Sequence, residues 1–205
     1  MGMKTIPLER LLLATRNRGK IRELKRLLSG IPGIELLTFE KIPFSEVEET
    51  EETFLGNALL KAEAILEQTG LPVLAEDAGL EVLSLGGEPG VRSARYAGGD
   101  HDYSANNSLL LKRLEGVMDR RARFITVAVL LLPDRQVFVT TGVLPGEIAD
   151  APRGEGGFGY DPLFIPAGGS RTLAELSLEE KNRISHRMRA IRRMRLIIRD
   201  LVSQG

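Results

Sequence analysis

The stretch Leu11–Arg26, LLLATRNRGKIRELKR, constrains the fold of this chain more than any other. Its first part, Leu11–Ala14, is an apolar run that predicts a buried strand. Its last part predicts a helix, because four apolar residues share one helical face: Ile21, Leu24, Leu27 and Leu28. A polar turn containing a glycine joins the two elements. A strand, a turn and a helix N-terminus in this order present free backbone N–H groups and the positive end of the helix dipole, which together form an anion site.

The turn has two interpretations. It consists of Thr15, Arg16, Asn17, Arg18, Gly19 and Lys20, and three of these side chains are cationic. A Walker A loop would need glycine at position 15 and Ser or Thr after the lysine, where this chain has Thr15 and Ile21. The turn is therefore either a phosphate site of another type or an ordinary strand-to-helix connection with surface cations.

Composition excludes several classes of protein. The 205 residues include no cysteine and two histidines, so thiolate catalysis, Cys-based zinc sites and His-rich metal sites are excluded. The formal net charge is zero, which does not favour binding to nucleic acid or to an anionic membrane. The N-terminus lacks the apolar core of a signal peptide, and no apolar run approaches membrane-spanning length. We expect a cytoplasmic protein with one domain, or two closely joined lobes.

Hydrophobic periodicity predicts a mixed α/β sheet with an antiparallel portion. Predicted strands are Leu8–Ala14, Ile34–Phe39, Leu71–Ala75, Arg123–Leu132, Gln136–Leu144 and Asp161–Ile165. Predicted helices are Arg18–Ser29, Thr53–Gln68, Asp77–Leu85, Ser104–Leu114 and Ser185–Val202. The stretch Val91–Gly99 is expected to be a loop, and the strands on either side of Pro133-Asp134-Arg135 should form a hairpin.

Two adjacent carboxylates, Glu76 and Asp77, are expected at the end of a buried strand, where they are costly unless a cation offsets them. The acidic stretch Glu46–Glu52 can supply a further oxygen ligand. Oxygen ligands without cysteine or clustered histidine favour Mg²⁺ or Mn²⁺. Alternatively, Asp77 caps a helix and the acidic stretch is a solvated loop.

Two later segments also indicate ligand binding. Three glycines surround Phe158 and Tyr160, which lets the backbone approach a ligand closely and offers it an aromatic surface. Ser185 is predicted to cap the last helix, which places His186 and Arg187 in a first turn where positive side chains oppose the dipole. The ordinary alternatives are a tight turn with anchoring aromatics and a solvated helix end. His101 lies in a polar loop and is expected to be surface.

Taken together, these segments resemble the inosine/xanthosine triphosphate pyrophosphatase family, which removes non-standard purine nucleoside triphosphates. The resemblance runs from Leu11 to about Ala190. Five motifs keep the family's order: ATRNRGK at 14–20, LAEDAGLEV at 74–82, GGEPGVRSARYAG at 86–98, GEGGFGYDPLF at 154–164 and LAELSLEEKNRISHR at 173–187. Each motif alone is weak, but five in order are specific. The family fold is an elongated two-lobed α/β structure around a long mixed sheet, with flanking helices and a central cleft.

The resemblance also implies roles for particular residues. Asp77 would bind Mg²⁺ (or Mn²⁺) and act as general base, helped by a glutamate of the acidic loop, either Glu48 or Glu49, with Glu76 adjacent. The Thr15–Lys20 turn would hold the triphosphate, with Asn17 and Lys20 in direct contact and Lys20 also acting in catalysis by stabilising charge. The nucleoside and its phosphates would contact Phe158, Gly159, Tyr160, Asp161, Lys181, His186 and Arg187. Many members have serine where this chain has Ala78, which leaves only a backbone contact there. Residues 1–205 would form one pyrophosphatase domain of two lobes, usually as a homodimer.

Two other functions remain open at this point. One is an NTPase that cuts the β–γ bond. The other is a nucleotide-sensing or RNA-binding module without turnover that uses the arginine-rich last helix. The zero net charge argues against RNA, because binding to the phosphate backbone needs a basic field.

Overall fold

The computed structural model describes residues 8–99 and 102–203. Six strands form one sheet in the order β2-β1-β3-β4-β5-β6. Their bounds are β1 Arg10–Leu13, β2 Glu35–Leu37, β3 Val73–Val82, β4 Arg121–Leu131, β5 Val137–Ile148 and β6 Phe164–Pro166. The expectation for His101 lies outside the described residues.

The sheet is mixed, as the sequence predicts. β1 pairs in parallel with both β2 and β3, and β6 pairs antiparallel to β5. β4 and β5 form the predicted hairpin, since Leu132 N–H donates to Gln136 O and Ile148 N–H donates to Arg120 O, each at 2.9 Å. Those two bonds share one antiparallel register. The α/β class with an antiparallel portion is therefore confirmed.

The helices flank this sheet and begin at capping residues. They are α1 Arg18–Leu28, α2 Phe54–Thr69, α3 Tyr103–Arg113, α4 Leu178–Ile184 and α5 His186–Ser203. Thr53 Oγ1 accepts from Gly56 N–H at the start of α2, and Gly70 ends that helix in the left-handed conformation. Ser177 and Glu180 form a capping box at the start of α4. None of the described helices is long and apolar enough to cross a membrane.

The chain divides into two compact units. The first unit comprises residues up to Asp77, Val127–Thr141 and the chain from Arg189 onward. Its core joins β1, α1 and the inner face of α5, where Ile191, Met194 and Ile198 are fully buried. Met188 and Leu201, which continue the helical spacing of that face, are only half-buried.

The second unit comprises Ala78–Thr126 and Gly142–Met188. Its core packs Leu80 and Val82 of β3 with Leu110 of α3 and with Phe164 of β6. Phe124 of β4 contacts Phe164 at a ring-centroid distance of 4.7 Å. This packing fixes the chain on both sides of the glycine-rich segment before β6.

The predicted end of β3 is wrong. The strand does not stop at Glu76-Asp77 but continues to Val82, and a short 3-10 helix, Leu83–Leu85, replaces the predicted helix Asp77–Leu85. Asp77 is therefore not a helix cap. The strand passes through the two carboxylates because other side chains compensate their charge, while Leu80 and Val82 continue the buried apolar pattern.

Two smaller differences lie in the second unit. The stretch expected to be a loop contains a 3-10 helix, Gly90–Arg95. The last strand is shorter than predicted, because residues Asp161–Leu163 form turns and β6 begins only at Phe164.

Candidate active site

Asp77 lies in a largely buried cluster of polar side chains in the first unit. It is buried, with 5% of its surface exposed. The side-chain amide of Asn57 donates to Asp77 Oδ2 at 3.2 Å, and Lys61 Nζ lies 3.9 Å from Asp77 Oδ1. Burial raises the pKa of Asp77, and the neighbouring Glu49 adds to the rise, while Lys61 opposes it. A raised carboxyl pKa is typical of a group that exchanges protons during a reaction.

Lys61 is the cation at the centre of this cluster. Its Nζ donates to Glu49 Oε1 at 2.5 Å and to the backbone carbonyl of Glu76 at 2.7 Å. Two carboxylates and one carbonyl thus surround a single ammonium group whose side chain is 11% exposed. A buried ammonium is tolerated only where such oxygens compensate it, so these oxygen atoms form a cation-accepting site.

Lys20 of α1 compensates the neighbouring carboxylate. Its Nζ lies 3.6 Å from Glu76 Oε1, and the Glu76 side chain is 2% exposed. The structure therefore brings four of the predicted residues together in the first unit: Lys20, Glu49, Glu76 and Asp77. Glu48, the other candidate ligand, is exposed.

In the predicted phosphate turn, Asn17 acts as the N-cap of α1. Its Oδ1 accepts from Gly19 N–H at 2.9 Å and from Lys20 N–H at 3.1 Å. The expectation of free N–H groups is therefore wrong for these two residues, because the Asn17 side chain already satisfies them. The Asn17 N–H in turn donates to Thr15 Oγ1 at 3.2 Å, which stiffens the turn.

The two arginines of this turn pair with glutamates on the surface. Arg16 lies 3.8 Å from Glu46, and Arg18 lies 3.8 Å from Glu40. All four side chains are more than half exposed, so these pairs contribute little to stability. Both guanidinium groups can therefore be drawn to a stronger anion at little cost.

In the second unit, Asp161 organises the aromatic segment. Its Oδ2 accepts from Phe158 N–H at 2.8 Å and from Lys181 Nζ at 2.5 Å. Lys181 Nζ also lies 4.7 Å from the centroid of the Phe158 ring. Asp161 and Lys181 are buried, whereas Phe158 is 41% exposed. An exposed aromatic ring held by buried polar groups is suited to stack on a planar ligand.

Neighbouring elements hold the remaining residues of that segment. Tyr160 O–H donates to Ser93 O at 2.9 Å, and Asn107 Nδ2 donates to Gly159 O at 3.1 Å. The Tyr103 ring lies 6.3 Å from the Phe158 ring. Burial raises the pKa of Tyr160, so its phenol stays a neutral donor. The turn at 158–161 is thus fixed from the 3-10 helix before α3 and from α3 itself.

His186 and Arg187 begin α5, as predicted. Ser185 Oγ accepts from Met188 N–H at 3.1 Å and so caps this helix. Both residues are buried, and the His186 ring stacks on Phe124 at a centroid distance of 4.8 Å with an interplanar angle of 10°. Ala78, the departure from the family pattern, is half-buried in β3 directly after Asp77.

The donor set fits a hard divalent cation that binds together with a substrate. Across residues 8–99 and 102–203, no three Asp, Glu, His or Cys side chains converge to hold a metal by themselves. Mg²⁺ is commonly held by one or two carboxylates plus substrate phosphates and waters. Glu49 and Asp77, which already surround one cationic group, meet that requirement.

Comparison with known proteins identifies the family of this chain. The model of the Ham1 family matches residues 11–197. The chain belongs to the Ham1 family. A dITP/XTP pyrophosphatase of Symbiobacterium thermophilum is 48% identical over 96% of this chain and 98% of that protein. A dITP/XTP pyrophosphatase of Thermus thermophilus is 50% identical over 93% of this chain and 89% of that protein.

Solved structures of Ham1 proteins have the same fold. The Staphylococcus aureus Ham1 protein is 42% identical with a TM-score of 0.86, and the Coxiella burnetii HAM1 protein is 38% identical with a TM-score of 0.87. Each match covers 93% of this chain and 98% of the other. The resemblance to the pyrophosphatase family drawn from the motifs is confirmed.

Three residues that hold the candidate segments were not predicted from the sequence: Asn57 and Lys61 in the first unit, and Asn107 in the second. A signal existed for Lys61, which shares the apolar face of α2 with Phe54, Ala58 and Ile65, where a lysine has no place without partners. Asn57 also lies on the buried side of α2 and is fully buried. Asn107 gave no signal, because its contact with Gly159 spans 52 positions of the sequence.

Proposed function

We propose that this chain hydrolyses non-standard purine nucleoside triphosphates, such as ITP, dITP and XTP, to the monophosphate and pyrophosphate. The relatives described above, named dITP/XTP pyrophosphatases, support this activity over nearly the whole chain. The observation that carries the chemistry is Asp77, a buried carboxylate with a raised pKa between Asn57 and Lys61.

Asp77 is the proposed general base. The water oxygen bonds to a phosphorus atom of the α–β linkage, one water proton passes to Asp77, and the bond to the bridging oxygen breaks, releasing pyrophosphate. The Asn57 amide donates to Asp77 Oδ2 and so orients the carboxylate of the proposed base. A base of this kind contributes about 10²–10⁴-fold to a rate.

Mg²⁺ is the proposed cofactor, held by Glu49 and Asp77. When bound, it would supply Lewis-acid stabilisation of the charge on the phosphates. We choose Glu49 over Glu48 because Glu49 joins the Asp77 cluster through Lys61, while Glu48 faces solvent. Glu76 is bonded to Lys20 and is proposed to balance charge within this site.

The Thr15–Lys20 turn is proposed to hold the phosphates through cationic side chains. The cap formed by Asn17 keeps the start of α1 rigid, so Lys20 projects from a fixed position. Preorganised cations stabilise developing negative charge at no further cost of ordering.

The second unit is proposed to recognise the nucleoside. Phe158 offers a ring for stacking, and Lys181, His186 and Arg187 offer donors to the 6-keto oxygen and to the phosphates. An amine at the 6-position leaves a buried donor unpaired, which is an expensive mismatch and disfavours ATP. Exclusion of GTP, which shares the keto group, needs a pocket that does not accommodate the 2-amino group.

Product analysis tests this function. Purified protein with Mg²⁺ is incubated with ITP, XTP, ATP and GTP, and products are separated by ion-exchange chromatography. We expect monophosphate and pyrophosphate from ITP and XTP. Diphosphate and phosphate would instead indicate cleavage of the β–γ bond, and nucleotide binding without products would indicate a sensing module.

The family resemblance also leads us to propose a homodimer that acts in the cytoplasm without nucleic-acid partners. Light scattering of the purified protein tests the dimer, and a mass of one chain would contradict it. A titration with labelled RNA at low salt tests the last part, because electrostatic binding is strongest there.

A further inference from the structure

Lys61 occupies the position in which the oxygen atoms of the first-unit cluster converge. Its ammonium contacts Glu49 Oε1 at 2.5 Å and Glu76 O at 2.7 Å, and it lies 3.9 Å from Asp77 Oδ1. Two of those groups, Glu49 and Asp77, are the proposed metal ligands. The lysine therefore uses the same oxygen atoms that a divalent cation would require.

We propose that the Lys61 ammonium and the divalent cation compete for the Glu49 carboxylate, so that Lys61 sets how tightly the protein holds metal before a nucleotide binds. This inference rests on the proposed function only in assigning the metal to Glu49 and Asp77. Two cations on one carboxylate repel each other strongly in a site that excludes most water, so metal binding displaces the lysine from Glu49.

Burial makes this competition effective. The Lys61 side chain is 11% exposed and extends from the apolar face of α2, so its ammonium has few alternative positions. Glu49 is 27% exposed, which leaves it accessible to an incoming ion. A surface lysine would move into solvent at little cost, whereas Lys61 must give up its hydrogen bond to Glu49 inside the protein.

The test measures binding of Mn²⁺ alone, without nucleotide, by electron paramagnetic resonance of the free ion. In Lys61→Met the charge is removed and the length of the apolar stem is kept. We expect Mn²⁺ to bind at least about tenfold more tightly to this variant than to the unmodified protein. Adding Glu49→Gln to Lys61→Met should abolish the gain, because the contested ligand is then absent.

Lys41→Met is the matched control. Lys41 bonds Glu35 at 2.7 Å on the surface, so its loss changes the net charge equally without touching the cluster. Its Mn²⁺ affinity should stay within about twofold of the unmodified protein. Equal gains in the two variants would reduce the effect to net charge and overturn the proposal, as would an unchanged or weaker affinity in Lys61→Met.

A second measurement avoids variants that fail to fold. The ¹⁵Nζ resonance of Lys61 in the unmodified protein, assigned with Lys61→Arg, is followed while Mg²⁺ is added. Competition predicts a shift of this resonance with the same half-saturation as metal binding. A resonance that does not move, or a protein that binds no Mn²⁺ without nucleotide, overturns the competition, whereas the product assay with nucleotide tests the hydrolysis separately.

Discussion

The side-chain amide of Asn57 donates to Asp77 Oδ2 at 3.2 Å, and its Oδ1 accepts from the Glu51 N–H at 2.9 Å. One fully buried side chain on α2 thus orients the proposed base and also holds the acidic segment. Because that segment contains Glu49, a single helix positions both proposed metal ligands: Asn57 bonds Asp77, and Lys61, one turn later, bonds Glu49.

Replacing Asp77 with asparagine should abolish turnover while the fold is kept. We expect kcat for ITP to fall at least about 100-fold, because the amide cannot accept the proton of the attacking water. Steady-state pyrophosphate release measures this change. A well-folded variant that keeps its normal turnover would exclude Asp77 as the base.

The same variant makes a prediction about stability. The pKa of Asp77 is raised in the folded protein. The ionised carboxylate therefore disfavours folding once the pH exceeds the ordinary pKa of an aspartate. Asp77→Asn removes that penalty, so its advantage in melting temperature over the unmodified protein should grow from acidic to neutral pH, measured with a chelator present. A difference that falls over that range would contradict the buried position of the charge.

Glu49 and Glu48 form a matched pair for locating the metal. In Glu49→Gln we expect the Mg²⁺ concentration for half-maximal activity to rise about tenfold or more, because a carboxylate of the cluster is lost. Glu48→Gln removes an equal charge from an exposed position one residue earlier and should change it by less than about twofold. The reverse order would assign the metal to Glu48.

The local parts of this structure were predictable, whereas the partners of the buried charges were not. The apolar spacing of α1 and α2, the Thr53 cap and the stop at Gly70 all follow from neighbouring residues. The passage of β3 through Glu76 and Asp77 depends instead on Lys20 and Lys61, which lie far away in sequence. Local pattern alone predicts that a strand ends at two adjacent carboxylates, because the neighbouring residues include no compensating charge.

In the second unit, too, the motif is visible in the local sequence while the contacts that hold it come from distant residues. The motif around Phe158 indicated a ligand, yet the bond from Asn107 to Gly159 and the bond from Tyr160 to Ser93 cross 52 and 67 positions. Residue type alone indicated this segment as a candidate binding segment. It did not identify which other elements hold that segment, because such contacts are set by tertiary packing.

Gly157 and Gly159 are a second matched pair, testing the aromatic turn. Both have positive φ, +77° and +64°, which costs an alanine about 1–2 kcal/mol at either position. At Gly157 a Cβ would also collide with the Asp161 carboxylate, while at Gly159 it meets nothing within 4 Å. We expect Gly157→Ala to lower the melting temperature more than Gly159→Ala, by about 2–4 °C for each additional kcal/mol.

Displacement of the Asp161 carboxylate should also weaken substrate binding. In Gly157→Ala the displaced carboxylate can no longer hold both Phe158 N–H and Lys181 Nζ, so KM for ITP should rise more than in Gly159→Ala. Steady-state kinetics on the two variants measures this difference. Equal KM values would show that the Asp161 contacts do not position the nucleoside.

The three tyrosines should ionise at a higher pH in the folded chain than in the unfolded chain. Burial, with a hydrogen bond to Glu88, raises the pKa of Tyr96 to about 12, and burial also raises the pKa of Tyr103 and Tyr160. Because the raised pKa values favour the neutral phenols in the folded chain, their contribution to stability is complete below about pH 10. It is lost as the pH rises through the pKa values of the folded protein.

These are the only three tyrosines, and the chain has no tryptophan, so near-ultraviolet absorbance reports tyrosinate directly. We expect little tyrosinate in the folded protein at about pH 10, where the denatured chain is half ionised. Half ionisation of the folded protein at that pH would contradict the raised pKa values of the three tyrosines.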